Sequence, residues 1–187
     1  QVRGAFSMSE PGCGSDVSAI TSRAVRDGDG WRLTGQKMWL TNGGSSNLVA
    51  VLVRTEGDAD SGLSVYKRMS TFLVAKPEGF GQVRPGLVIP GKIDKMGYKG
   101  VDSTELVMDG LQLTDEDLLG GQTGQGFYQM MDGVEVGRVN VAARACGLGL
   151  RAFELAVHYA QQRTTFGKPI AEHQAVSFRL ADMATKV

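Results

Sequence analysis

GQKMWLTNGG, Gly35 to Gly44, is the stretch on which the reading of this chain turns. It reads as the end of a strand running into a turn. In a strand, residues two apart share a face. Trp39 and Thr41 therefore present an aromatic surface and a hydroxyl side by side, and Met38 and Leu40 point the other way. Asn42, Gly43 and Gly44 supply the turn. Taken alone, the pattern is ordinary: a tryptophan in a strand is usually a core aromatic. The alternative is a planar ligand stacked on Trp39, with Thr41 hydrogen-bonded to its edge.

Outward from this stretch, the first two thirds of the chain read as β. Upstream, RDGDGWRLTG has Asp-Gly pairs at the left-handed positions of a hairpin turn. Downstream, NLVAVLVRT, STFLVAK and TELVMDGLQL are short apolar runs bounded by turn signals. Glu56 to Lys67 is a polar, glycine-containing loop. Several short strands at close spacing predict a barrel or sandwich. After Gly120 the character changes at the glycine-rich joint LLGGQTGQG. From Phe127 the apolar residues recur with helical period and predict one helix of roughly 35 residues, well beyond the common length. TTFGKPI interrupts it, and AEHQAVSFRLADMATKV begins a second amphipathic helix. The expected fold is α+β: an antiparallel β-barrel or sandwich domain over residues 1–120, then two long helices of an incomplete helical bundle over 121–187. Half a bundle cannot bury its apolar stripe alone. The chain opens at Gln1 within a strand pattern and ends at Val187 within a helical one, so a fragment of a longer protein is expected.

Composition narrows the function classes. The 187 residues are 42% hydrophobic and 21% charged, and acidic and basic residues balance to a formal net charge of zero. There is no global basic field for nucleic acid and no polybasic run for an anionic membrane. An anionic ligand must be held by local arginines and backbone amides. The 26 glycines are about twice the usual share and sit mostly at turns. Cys13 and Cys146 have neither metal-site spacing nor a disulfide framework, which fits a reducing compartment. No apolar run approaches the roughly 20 residues of a membrane span, and no signal-peptide pattern opens the chain.

Four segments carry residues suited to chemistry. In FSMSEPGCGSD, Phe6 to Asp16, a strand ends in a turn whose amides and hydroxyls can approach a phosphate or carbonyl. The plain alternative is a turn in which Ser15 or Asp16 caps local backbone. In QQRTTFGKP, Arg163 suits a phosphate, Thr165 adds a hydroxyl and Phe166 an apolar wall. The alternative is a helix end with a cation favouring its dipole. In EVGR, Glu135 and Arg138 stand three apart on one helical face, ordinarily a surface pair. His173 has no accompanying metal ligands and reads as structural. His158 is given no role.

Separately these signals are weak, but their order and spacing are specific. SMSEPGCGSDVSA, then GQKMWLTNGG, then KMGYKGVDSTEL, then the run from Gly137 to Val187 strongly resemble the acyl-CoA dehydrogenase family. The resemblance covers essentially the whole chain, as the family's middle β domain and the first part of its C-terminal helical domain. It implies FAD. Phe6, Met8 and Ser9 match the strand lining the isoalloxazine, with Ser9 at the hydroxyl that bonds its pyrimidine end. Trp39 matches the tryptophan stacked on the ring and Thr41 the threonine at its reactive nitrogen edge. Ser15 matches the serine near the flavin pyrophosphate and the CoA end of the substrate. Arg163, Thr165, Phe166 and Gln174 match the segment that holds FAD from a neighbouring subunit. Glu135 and Arg138 match the positions that contact the CoA-bearing substrate.

The chemistry so implied is α,β-dehydrogenation of an acyl-CoA to the trans-2-enoyl-CoA. A base removes the α-proton, the β-hydrogen leaves as hydride to the flavin, and electrons pass to an electron-transfer flavoprotein. Hydrogen bonds must stabilise the enolate-like thioester oxygen, and the flavin carries the redox step. A minority of the family place the base just before the arginine of the long helix. Here that position is Gly137. Glu135 lies about 200° around the helix from it, so the base is expected beyond Val187. Cys13 and Ser7 replace residues common in the family without disturbing flavin binding. The resemblance further implies a homotetramer, while the balanced charge and the lack of metal-ligand spacing lead to the expectation of no nucleic acid and no metal. It implies a cytoplasmic location in a bacterium or the mitochondrial matrix in a eukaryote. Competing readings are a same-fold acyl-CoA oxidase or flavin monooxygenase, and a non-catalytic flavin- or CoA-binding subunit of a hetero-oligomer.

Overall fold

The computed structural model describes residues 1–55 and 62–187. The chain forms two compact units, residues 1–132 and 133–187. The first contains β1 (Gly4–Ser7), β2 (Arg23–Asp27), β3 (Gly30–Thr41), β4 (Leu48–Thr55), β5 (Met69–Ala75), β6 (Gly81–Arg84), β7 (Leu87–Ile89), β8 (Ser103–Leu113) and the opening turns of α1 (Gly126–Gln162). Of the expected loop from Glu56 to Lys67, residues 56–61 lie outside the described residues. β6 and β7 stand where the sequence pattern gave no strand.

The expected hairpin is β2–β3, closed by Gly28 and Asp29, with Asp27 opposite Gly30. Gly28 takes a φ of 61°, the left-handed conformation its lack of Cβ permits. The eight strands make one sheet in the order β1-β4-β2-β3-β8-β7-β6, with β5 on the other edge of β4. β1 and β2 run parallel to β4, and the other pairs are antiparallel. Trp31 of β3 and Phe72 of β5 meet edge to face at 5.6 Å, although β2 and β4 lie between their strands. Strands about 4.8 Å apart could not bring them together in a flat sheet, so the sheet curls around one core. That core includes Trp31, Leu33, Leu40, Val51, Val53, Phe72, Leu106 and Met108.

β4 is buried on both faces. Val49, Val51 and Val53 enter the main core, while Leu52 joins Val17, Ile20, Met69 and Met130 in a second cluster. Met130 brings the start of α1 onto this face. There the helix meets β5 without an intervening side chain. The Thr71 hydroxyl donates to the Gly126 carbonyl at 3.1 Å, and a Cβ on Gly126 would lie 2.4–2.5 Å from the Ser70–Thr71 backbone.

The second unit contains the rest of α1, which is 37 residues long in all, then β9 (Thr164–Thr165), β10 (Lys168–Pro169) and α2 (Gln174–Lys186). The segment expected only to break the helix is a two-residue hairpin. Phe166 (φ 52°) and Gly167 (φ 77°) both take positive φ, as a type I′ turn requires. Many apolar side chains of this unit, including Val139, Leu148, Leu155 and Phe178, are exposed.

Candidate functional site

The site begins where β1 runs out. The Met38 amide donates to the Ser9 carbonyl at 2.9 Å, so the chain beyond β1 continues alongside the end of β3. Phe6 is partly exposed, and Met8 and Ser9 are half-buried. At Glu10 the chain turns back: the Glu10 amide donates to the Cys13 carbonyl and the Cys13 amide to the Glu10 carbonyl, at 2.9 and 3.1 Å. Beyond this turn Asp16 accepts from the Ser18 amide at 3.1 Å and caps a single helical turn. The capping role expected of this segment therefore falls to Asp16. Ser15 is exposed.

β3 departs from strict alternation at the opening stretch. Its pairing with β8 shifts between Lys37 and Leu40, and Trp39 sits inside the shift with a φ of 63°. This is a β-bulge, and it rephases the strand. Lys37 and Leu40, three residues apart, are both buried, while Thr41 is exposed and Trp39 is 57% exposed. The core-aromatic reading of Trp39 is thus overturned. A non-glycine residue at positive φ with an exposed indole is a strained position, and such strain concentrates at functional sites.

Beneath the bulge lies a charge that the sequence reading missed. The Lys37 side chain is fully buried, and its ammonium donates to Glu10 Oε1 at 2.9 Å and to the Met8 carbonyl at 3.1 Å. Glu10 Oε1 also accepts from the Ser22 amide and hydroxyl at 2.9 and 2.6 Å, and Oε2 from the Thr21 amide and hydroxyl at 2.7 and 2.8 Å. Burial by itself would raise the Glu10 carboxyl. The Ser22 hydroxyl, the Lys37 charge and the Thr21 amide outweigh it and hold the carboxyl at about 2. Burial pushes the Lys37 ammonium below its ordinary value, and Glu10 opposes that shift. The only sequence signals were a lysine in a strand end and a glutamate in a turn, both ordinary in isolation.

The turn after Thr41 is pinned by Asp102, the residue just before β8. Asp102 accepts from the Gly44 amide at 2.8 Å, the Ser45 amide at 3.2 Å and the Ser45 hydroxyl at 3.0 Å. Its carbonyl accepts from the Asn42 amide at 3.0 Å. Buried Lys76 donates to the Ser46 carbonyl at 2.7 Å. Hydrogen bonds to a charged group are worth about 1.5–3 kcal/mol. Asp102→Ala is therefore expected to cost about 2 kcal/mol of stability. It should also speed hydrogen exchange at Gly44 and Ser45. Unchanged exchange at those two amides would contradict the pinning role.

Phe6, Met8, Ser9, Trp39 and Thr41 are thus carried by two neighbouring segments of the first unit, with Ser15 past the turn. The hydroxyls of Ser9, Ser15 and Thr41 have no partner among the described residues. An exposed indole, a partly exposed phenyl ring and unspent hydroxyls fit a flat heteroaromatic ligand with a polar rim. Among the described residues no group of His, Cys, Asp and Glu could hold a metal ion.

The remaining expected site residues lie in the second unit. The Ile170 amide donates to the Arg163 carbonyl at 2.8 Å, which closes the hairpin onto the end of α1. His173, just before α2, bonds the Thr165 hydroxyl at 3.2 Å and meets Phe166 edge to face at 6.1 Å. It ties Thr165 and Phe166 to the start of α2, where Gln174 stands, so its structural reading holds. Phe166 is 96% exposed at positive φ. Glu135 and Arg138 are exposed on α1 and make no ion pair with each other, whereas Arg151 and Glu154, with the same spacing, pair at 3.0 Å. Glu135 and Arg138 therefore lie on the helix surface without forming the ion pair that their spacing allows. A Cβ on Gly137 would meet nothing within 4 Å among the described residues apart from its chain neighbours and the adjacent backbone of its own helix.

A curled, mostly antiparallel sheet with a strained, exposed indole at one strand end, followed by a long helix, defines an α+β protein. The family profiles for "Acyl-CoA dehydrogenase, middle domain" and "Acyl-CoA dehydrogenase, C-terminal domain" match residues 5–111 and 124–187. The chain belongs to the acyl-CoA dehydrogenase family. It is 37% identical to an acyl-CoA dehydrogenase of Bacillus subtilis over 183 residues, 98% of this chain and 45% of that protein. It is also 37% identical to the mitochondrial short-chain specific acyl-CoA dehydrogenase of Bos taurus over 181 residues, 97% of this chain and 41% of that protein. The crystal structure of acyl-CoA dehydrogenase from Geobacillus kaustophilus matches with a TM-score of 0.88 and 34% identity, over 99% of this chain and 46% of that one. The chain thus spans less than half the length of these relatives. Among the described residues no helix is long and apolar enough to cross a membrane.

Proposed function

We propose that this chain forms the flavin face and part of the acyl-CoA site of an FAD-dependent acyl-CoA dehydrogenase that makes trans-2-enoyl-CoA. The observation that carries the proposal is Trp39, held exposed at a bulge with the free hydroxyls of Ser9 and Thr41 nearby. FAD, when bound, supplies the acceptor for the hydride leaving the β-carbon. Trp39 stacks against the ring, Phe6 and Met8 line it, and Ser9 and Thr41 hydrogen-bond its polar edges. Ser15, Glu135 and Arg138 hold the CoA-bearing end of the substrate; the absence of a Glu135–Arg138 pair leaves both charges available. Arg163, Thr165, Phe166 and Gln174 hold FAD from a neighbouring subunit of a homotetramer. Gly137 offers no base, and Glu135 faces away from that position, so neither is assigned proton abstraction. Electrons leave to an electron-transfer flavoprotein, in the cytoplasm of a bacterium or the mitochondrial matrix of a eukaryote.

The intact protein is expected to carry yellow, non-covalent FAD. Trp39→Ala removes a ring contact worth about 1.4 kcal/mol, so FAD affinity is expected to fall about tenfold. Flavin fluorescence titration measures it. A colourless intact protein that takes up no added FAD refutes the proposal. Rapid peroxide formation by the reduced protein would replace the dehydrogenase with an oxidase.

A further inference from the structure

We infer that Lys37 and Glu10 are positioning residues for the flavin: their buried pair fixes the Phe6–Ser9 segment against the Trp39 bulge, and so sets the two walls that the ring meets. The inference rests on the flavin reading above and extends it to two residues that no part of that reading uses.

Three observations carry it. First, the Lys37 ammonium bonds the Met8 carbonyl directly at 3.1 Å, so one side chain of β3 grips the backbone of the opposite wall. Second, Lys37 is two residues before Trp39 and is buried on the core side, which the bulge between Lys37 and Leu40 makes possible. With regular alternation Lys37 would share the face of Trp39 and Thr41. Burial of Lys37 and exposure of Trp39 are therefore two results of one backbone irregularity. Third, Glu10 ends the opposite wall and is itself held by Thr21 and Ser22, so the grip is anchored outside both walls. A fully buried lysine is rare and costly to keep. An apolar side chain would fill its place without gripping the neighbouring strand.

The test uses the intact protein and two variants. Lys37→Met keeps the side-chain volume and removes both bonds of the ammonium. Lys37→Met/Glu10→Gln does so while burying no unpaired charge. Each is assayed well below its own unfolding midpoint, by flavin fluorescence titration and by circular dichroism in the flavin absorption bands. The expected result is a tenfold or larger rise in the FAD dissociation constant and a changed flavin dichroism. Far-ultraviolet dichroism should keep the wild-type signature. A folded variant with wild-type affinity and wild-type flavin dichroism overturns the inference while leaving the flavin reading intact. A wild-type protein that takes up no FAD overturns both. Failure of both variants to fold overturns the positioning role, because the pair would then determine the fold alone.

Discussion

Gly35→Ala is expected to destabilise the β unit by about 3–5 kcal/mol, from overpacking and backbone strain together. Gly35 takes a φ of 143°, a conformation that residues with a Cβ rarely adopt. A Cβ there would lie 2.4 Å from the Ser22 hydroxyl oxygen and 2.6 Å from Ser22 Cα and Cβ. Ser22 cannot easily retreat. Its amide and hydroxyl both bind Glu10, at 2.9 and 2.6 Å, and its carbonyl accepts from the Arg54 amide at 2.9 Å. Displacing it would loosen Glu10, and through Glu10 the buried Lys37. Gly110→Ala is the control, since Gly110 has a φ of 68° with nothing within 4 Å of a Cβ. Strain alone should cost it about 1–2 kcal/mol. Urea unfolding of both variants checks the comparison. Equal losses would mean that the Ser22 contact does not matter.

What the sequence revealed and what it hid divide along physical lines. The β2–β3 hairpin was legible because Asp-Gly pairs at a turn have a stereochemical cause. The α1 helix was legible because its period persists over ten turns. β6 and β7 were not. They have four and three residues around the Pro85-Gly86 turn, too few to establish a period. Leu87 and Ile89 are strand residues because the core holds them, not because their neighbours announce it.

The candidate site divides similarly. That Trp39 and Thr41 share one face of a strand end was readable; the exposure of Trp39 was not, since a strand tryptophan is usually a core aromatic. The bulge beside them was not, since no residue type encodes it there. Period-two reasoning also puts Lys37 with the exposed set, and Lys37 is among the largest fully buried side chains. Lysine reads as surface by its ordinary behaviour, and its partner Glu10 lies 27 residues away in a turn. A long-range buried ion pair leaves no local pattern. Motif order across the chain is what proposes Ser15, Arg163 and Gln174 as site residues; local reading leaves Ser15 as a turn residue, leaves Arg163 open between a phosphate ligand and a helix-end cation, and gives Gln174 no role.

The Glu10 carboxylate gives the pair a pH signature. Its folded value is held at about 2, against an ordinary glutamate value of 4.5. A depressed carboxylate stabilises the fold fully above its unfolded value, and that contribution is lost as pH falls toward the folded value. The window therefore runs from about pH 4.5 down to about pH 2, and the loss across it is about 3 kcal/mol. Glu10→Gln removes this titration and leaves buried Lys37 without its partner, at a cost of about 3–5 kcal/mol near neutral pH. The gap between wild type and variant should then narrow steadily below pH 4.5. Other carboxylates titrate in the same range. Asp115, for example, is held below its ordinary value by hydrogen bonds from Arg26 and Trp31. The difference between the two proteins cancels such shared groups. Because the pair is buried, the narrowing should persist at high salt, where exposed ion pairs are screened. Parallel stability curves from pH 7 to pH 2 would show that Glu10 is not the depressed carboxylate. The buried pair would then lose its standing as an ionised clamp beneath Trp39.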